Sequence, residues 1–122
     1  MTARRQEALQ WFGLFGGPAA WATHLVLGFE VGEASCGTGL GPFSSTATMV
    51  TATVVLAGVV VLAEAAAVTV LRHLLDVDKD APGPEGRQRF LAYGAVVGNV
   101  LLFVAIVLAG VATIAATRCQ GA

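Results

Sequence analysis

Residues 90–117 read FLAYGAVVGNVLLFVAIVLAGVATIAAT, and this uncharged stretch decides the fold class. A helix that crosses the hydrocarbon core of a bilayer needs about 20 mostly apolar residues, and this stretch exceeds that length. Two further stretches of this kind precede it, at about residues 9–33 and 45–75. The sequence therefore predicts an all-α integral membrane bundle of three transmembrane helices, with residues 1–122 forming a single domain.

The composition of the whole chain agrees with a membrane protein. Of its 122 residues, 56% are hydrophobic and 12% are charged, whereas soluble domains carry about 25% charged residues. The net charge of -1 offers no basic surface to nucleic acid. These values exclude an ordinary soluble globule and a nucleic-acid-binding protein.

The two earlier stretches differ in character. The first is the least hydrophobic of the three, because glycines, a proline, His24 and Glu30 interrupt it, and this favours packing on protein over facing lipid. The second is an apolar block broken once, by Glu64. Since a helix rises about 1.5 Å per residue, the second stretch outlasts a core of roughly 30 Å and is expected to tilt or to project into the cytoplasm.

Positive residues orient the three spans, because Lys and Arg near span ends are retained on the cytoplasmic side. Arg4 and Arg5 precede the first span, and the connection between the second and third spans is also basic. The connection at residues 34–44 has no Lys or Arg, and only Arg118 disagrees with this asymmetry. The sequence predicts a cytoplasmic N-terminus and a C-terminus outside.

The predicted topology places both cysteines on the outer side of the membrane. Cys36 follows the outer end of the first span, and Cys119 follows the outer end of the third. Both would face an oxidising compartment, where disulfides persist. We therefore expect a disulfide between Cys36 and Cys119; the alternative is a pair of unpaired small side chains.

Small side chains recur every four residues along the first span, with one imidazole among them. The stripe consists of Gly16, Ala20, His24, Gly28 and Gly32. Such stripes allow two helix backbones to approach closely, so we expect this face to be covered by another helix. His24 is then a haem or metal ligand, a member of a proton relay, or a neutral side chain bonded to a carbonyl or a Thr. We favour the last, because a lone His does not complete a metal shell.

Glu64 and Asn99 are polar residues at matching depths of the second and third spans. Each lies about nine residues from the cytoplasmic end of its helix. Because charged groups are costly in hydrocarbon, Glu64 is expected to face protein or water. We favour a hydrogen bond between the two helices; proton or ion handling and contact with a partner subunit remain open.

The sequence carries no pattern that indicates catalysis. It has no nucleophile paired with a base, no phosphate-binding loop and no carboxylates at catalytic spacing. The CxxCH pattern of covalent haem attachment is also missing. We expect a protein that is not an enzyme and has no cofactor, apart from the haem considered for His24.

Residues 17–25 read GPAAWATHL, and Cys36 follows them just beyond the predicted helix. This segment resembles the opening of small three-span bacterial membrane proteins with a Gly-Pro-x-Ala-Trp-x-x-His-Leu pattern, which are encoded among components of haem-copper terminal oxidases. The resemblance covers about a sixth of the chain. It implies residence in the bacterial inner membrane and association with respiratory complexes.

Three functions remain as hypotheses. The first is an accessory subunit or assembly partner of a larger membrane complex. Its partners would be other integral membrane subunits, such as those of a haem-copper oxidase. The second is a homo-oligomeric proton or ion conductor that uses Glu64 and His24. The third is a b-type haem protein in which His24 from two chains binds one haem.

Overall fold

A computed structural model describes the backbone of residues 2–37, 42–76 and 82–115, and the side chains of these residues apart from 32–45. Within these ranges the chain forms three helices: α1 (Ala3–Gly37), α2 (Pro42–His73) and α3 (Pro84–Ala115). The predicted all-α class is confirmed.

The first and last residues of the helices differ from the boundaries of the predicted apolar spans. α1 and α3 each begin about six residues before the predicted span, because hydrophobicity marks the part of a helix suited to lipid and not the helix itself. Pro84 suits the first turn of α3, since its missing N–H would have no helical partner there. Gly83 precedes it at φ +92°, a conformation that favours glycine. α2 ends at His73, two residues before the predicted boundary.

The three helices pack against one another in an up-down-up arrangement. α2 is antiparallel to α1, because Gly16 lies against Ala63 while His24 bonds to Thr53, earlier in α2. α1 and α3 are parallel and meet at their first turns, where Gln6 Nε2 donates to Gln88 Oε1 at 3.3 Å. α2 also packs against α3, so every pair of helices is in contact.

One end of the bundle is basic. The start of α1, the end of α2 and the start of α3 meet there, and Arg89 of α3 donates to the carbonyl of Leu75 at 2.9 Å. We call this the basic end, because it carries every arginine of the described residues: Arg4, Arg5, Arg72, Arg87 and Arg89. Glu30 lies toward the opposite end of α1.

The interior is narrow and made mostly of small or β-branched side chains. Ala20, Val60 and Ile106 form one buried cluster, with one residue from each helix. A second cluster, of Val70, Leu74 and Ala92, lies nearer the basic end. Small interior residues bring the helices close together and leave most large apolar side chains on the outside.

Two of the described helices are long and apolar enough to cross a membrane. They are the segments Thr46–His73, with a mean hydropathy of 2.5, and Pro84–Ala115, with a mean hydropathy of 2.6. α1 has 35 residues and is long enough, but it does not reach the same hydropathy. The prediction of two apolar spans is thus supported by length and composition, whereas the third span and the orientation stay predictions.

Candidate functional site: two polar layers

Asn99 of α3 forms the centre of a polar layer that reaches all three helices. Its Nδ2 donates to the carbonyl oxygen of Gly13 in α1 at 2.8 Å. Its Oδ1 occupies the space that a Cβ at Gly17 would need. Asn99 therefore fits only because α1 has glycine at residue 17.

Glu64 joins the same layer from α2. Its carboxyl group makes a side-chain hydrogen bond with Asn99. The other oxygen, Oε2, is buried and has no hydrogen-bond partner among the described residues. The structure thus brings together the two side chains matched by depth in the sequence, and it leaves one oxygen of Glu64 unpaired. We call Gly13, Glu64 and Asn99 the inner layer.

An apolar groove of about 220 Å³ runs beside the inner layer, between α2 and α3. Glu64 and Asn99 lie in its wall, and the remaining lining is aliphatic or aromatic: Val60, Val61, Val100, Phe103 and Val104. The groove brings open space on the surface of the bundle close to the Glu64 side chain.

A second polar layer lies farther from the basic end. His24 of α1 is only 2% exposed, and its Nε2 shares a hydrogen bond of 2.9 Å with Thr53 Oγ1 of α2. Thr53 in turn packs against Gly110 of α3, where an added Cβ would lie 2.5 Å from Thr53 Oγ1. We call His24, Thr53 and Gly110 the outer layer.

The two layers have matching positions on all three helices. From Gly13 to His24, from Asn99 to Gly110 and from Glu64 back to Thr53, the spacing is roughly three helical turns, or about 16 Å. Because this spacing is close to a whole number of turns, the two residues of each pair lie on the same face of their helix. The same three faces therefore build both layers, and no hydrogen bond links one layer to the other among the described residues.

The small-residue stripe of α1 faces α2 within the chain. A Cβ at Gly16 would lie 2.9 Å from the Cβ of Ala63, and Ala20 and His24 are buried. Gly28 is more open, because a Cβ there would meet only Met49 and Thr113 at 3.8 Å. Gly32 belongs to α1, but its surroundings lie outside the described residues.

Sequence reasoning missed three glycines with tight contacts. A Cβ at Gly13 would lie 3.0 Å from the backbone nitrogen of Ala67, and Gly17 and Gly110 abut Asn99 and Thr53. Gly13 and Gly17 are four residues apart, so the small-residue spacing could have identified them. No comparable spacing indicates Gly110.

The predicted disulfide joins two cysteines whose side chains are not described. The side chain of Cys36 and the whole of Cys119 lie outside the described residues. Their pairing therefore stays a prediction.

Within the described ranges, His24 has no neighbours suited to a metal site. No group of three His, Cys, Asp or Glu residues that could hold a metal ion occurs within the described part of the chain. Its Nε2 is engaged by Thr53 inside the bundle. A haem shared by two chains would require His24 to leave this interior position, so the fit is poor.

In chemical terms, both layers connect helices. The amide of Asn99 and the imidazole of His24 satisfy polar groups of neighbouring helices. Comparisons of the chain with protein families, with curated proteins and with solved structures give no match.

Proposed function

We propose that this chain is a three-span protein of the bacterial inner membrane and serves as an accessory subunit or assembly partner of a larger membrane complex. The observation that carries the proposal is an open groove along the seam between α1 and α2, whose α1 side consists mainly of small residues. Its volume is about 430 Å³, and it is lined by Gly16, Ala19, Ala20 and Thr23 of α1, by Leu56 and Val59 of α2, and by the rings of Phe12 and Phe15. Grooves of small residues are the surfaces on which membrane helices pack closely.

The outward surface of the bundle supports a bilayer environment. Large apolar side chains are exposed on every helix, including Phe29 on α1, Val54 on α2 and Leu108 on α3. α1 also carries no Lys, Arg, Asp or Glu between residues 8 and 29, which is about the length that a span needs. This supports α1 as a third span despite its lower hydropathy.

Pro18 gives a second reason for a protein neighbour on α1. Proline has no N–H, so the carbonyl of Leu14, one turn earlier, loses its helical hydrogen bond. Pro18 is exposed, so this carbonyl lies on the outer side of α1. Because lipid tails cannot donate a hydrogen bond, a partner helix with a donor would suit this face.

The resemblance of residues 17–25 to proteins encoded with haem-copper oxidase components supports a respiratory partner. Pro18 and Ala19, which belong to that segment, also belong to the exposed face of α1. The partner proposed here is therefore an integral subunit of a terminal oxidase.

Purification of the tagged chain from native membranes in mild detergent tests this function. We expect oxidase subunits to co-purify in a fixed ratio, with the haem absorption of that enzyme. Ala19→Leu should abolish co-purification because it fills the groove, whereas Ala112→Leu, an equivalent exposed change on α3, should not. Equal recovery of partners with both variants would contradict the assignment of this groove, and a chain that purifies alone would contradict the function.

The conductor remains a second candidate because of one observation, the unpaired Oε2 of Glu64 beside a lipid-accessible groove. A carboxyl group with a free oxygen can exchange a proton without breaking the bond to Asn99. Proton flux into liposomes containing the purified chain alone tests this candidate. Flux that Glu64→Gln abolishes would favour it over the accessory subunit.

A further inference from the structure

A polar groove lies at the basic end, between the first turns of α1 and α3. Its volume is about 320 Å³. Its lining includes four polar side chains, Glu7, Gln10, Arg87 and Gln88, and two apolar ones, Trp11 and Leu91. We call it the α1–α3 groove; neither polar layer extends into it.

Gln10 is the buried polar residue in the wall of the α1–α3 groove. The residue is only 9% exposed, and it lines the groove. Its amide has no hydrogen-bond partner among the described residues, yet its polar atoms are not sealed from the groove. An amide that faces the groove without a protein partner can bond to a polar ligand atom placed there.

The neighbouring side chains offer further donors. Gln88 uses its Oε1 to accept from Gln6, which leaves its NH₂ group available. The guanidinium group of Arg87 has no partner in the described part of the chain. α1 and α3 both start at one end of this groove, so the positive ends of two helix dipoles lie near that end. This concentration of donors suits a phosphate group.

Glu7 narrows the class of ligand. Its carboxylate lines the same groove as Arg87, and it would repel a ligand that carried negative charge alone. A headgroup with a phosphate and a primary ammonium group matches both charges. Trp11 and Leu91 continue the groove into an apolar surface, where the ring of Trp11 stacks on that of Phe15 with centroids 5.4 Å apart. Acyl chains fit such a surface.

We propose that the α1–α3 groove is a specific site for a phosphatidylethanolamine-type lipid. Arg87, Gln88 and Gln10 bind the phosphate, and Glu7 binds the ammonium group. The site rests on the proposed membrane location, since it requires the basic end to lie at the depth of the headgroups. It does not depend on which protein partner binds α1.

Native mass spectrometry of the full chain in detergent tests the site. The ligands are phosphatidylethanolamine, phosphatidylglycerol and the soluble headgroup glycerophosphoethanolamine. We expect phosphatidylethanolamine to bind roughly tenfold more tightly than phosphatidylglycerol, as one charge-assisted contact allows. The soluble headgroup should bind far more weakly, because it lacks the acyl chains.

Three exposed positions supply the variants. Arg87→Gln should weaken both lipids roughly tenfold through the loss of the phosphate contact, and Glu7→Gln should remove the preference for ethanolamine. Arg72→Gln is the matched control, because Arg72 lies at the same end of the bundle but outside the groove. It should leave both affinities unchanged.

Three results would overturn the proposal: equal binding of the two lipids, the same effect from Arg87→Gln as from Arg72→Gln, or a soluble headgroup that binds as well as the lipid. Carbonate extraction of native membranes separates this failure from that of the proposed function. A chain that stays in the membrane but shows no lipid preference disproves only the lipid site.

Discussion

At the scale of single residues, Asn99 shows why an amide suits the inner layer. An amide has two N–H donors and one carbonyl acceptor, so it can bond to two neighbouring helices at once. Nδ2 bonds to the Gly13 carbonyl, and the same side chain bonds to Glu64. An aspartate would bring a second carboxyl group to Glu64, and a leucine would offer no hydrogen bond.

Variants of Glu64 distinguish a connecting role from a carrier role. Glu64→Gln keeps the polar group and nearly the same shape, so stability in detergent should remain unchanged. Glu64→Leu removes the bond to Asn99 and should cost about 1 kcal/mol, the usual size of a hydrogen bond between membrane helices. Thermal unfolding followed by circular dichroism provides the measurement. Asn99→Leu should cost more than Glu64→Leu, because it removes bonds to two helices.

A different result for the Glu64 variants would indicate a carrier role. If Glu64→Gln leaves stability intact but stops proton flux in liposomes, the connecting role is secondary and Glu64 is a carrier. Proton flux that persists in Glu64→Gln would exclude Glu64 as the carrier.

Thr53 provides the test of the outer layer. Thr53→Val keeps the shape but removes the hydroxyl group, which leaves the buried His24 Nε2 without its partner. We expect a loss of about 1–3 kcal/mol in the free energy of unfolding. Thr69→Val on the same helix is the control, because the Thr69 hydroxyl is exposed and bonds to Ala65 of its own helix. Similar losses in both variants would show that the His24 contact contributes little.

At the scale of elements, the glycines of α1 determine how closely it approaches α2 and α3. The approach is closest where a glycine meets the backbone of a neighbouring helix, as Gly13 meets Ala67. A side chain can rotate away from a new methyl group, but a helix backbone cannot. Gly13 is therefore more restrictive than Gly28, which belongs to the stripe that the sequence indicated.

Gly13→Ala should separate α1 from α2 and destabilise the bundle by about 1–3 kcal/mol, the usual cost of overpacking. Gly58→Ala is the control, because nothing lies within 4 Å of a Cβ at that position. Alanine favours helix over glycine, so the control should be neutral or slightly stabilising. Chemical unfolding of both variants in one detergent gives the comparison. If Gly13→Ala were as stable as Gly58→Ala, α2 could move away from α1 without a cost in stability.

Gly28→Ala belongs to the same series. Its new Cβ would make ordinary van der Waals contacts at 3.8 Å with the side chains of Met49 and Thr113. We expect a stability close to that of the wild type in the same unfolding assay, and a large loss would show that the helices approach more closely at Gly28 than these contacts indicate.

At the scale of the whole molecule, the basic end predicts the orientation in the membrane. Cysteines introduced at Thr2 and Glu85, in a background without the native cysteines, should resist an impermeant maleimide in intact cells, because positive ends remain in the cytoplasm. Both should react after permeabilisation. A chain that retains only Cys36 is the control and should react from outside. Labelling of residue 2 or 85 in intact cells would contradict the predicted cytoplasmic location of the basic end.

The disulfide prediction also concerns the whole molecule, because it would join the far ends of the chain's first and last helices. Oxidised protein should resist alkylation until a reductant is added, and Cys36→Ser should lower stability by about 2–4 kcal/mol. The double variant without Cys36 and Cys119 should match the single variant. Free thiols in unreduced protein from native membranes would contradict the pairing.

The sequence by itself determined the helical class, the approximate position of each helix and the matching depth of Glu64 and Asn99. Apolar length, breaks and charge are local properties, and depth along a helix follows from a constant rise per residue. The helix ends at Ala3 and Pro84 were not determined in this way, because the polar first turns of α1 and α3 lie beyond the apolar segments.

Only the tertiary structure decided which faces of the helices meet. Thr53 as the partner of His24, Gly13 as the close contact of Ala67, and Gln10 beside Arg87 all depend on the rotation of each helix about its axis. α2 is apolar on nearly every side, so its sequence contains little information on that rotation. The rotation is set by all three helices packing at once, where glycines permit close approach and buried polar groups require partners.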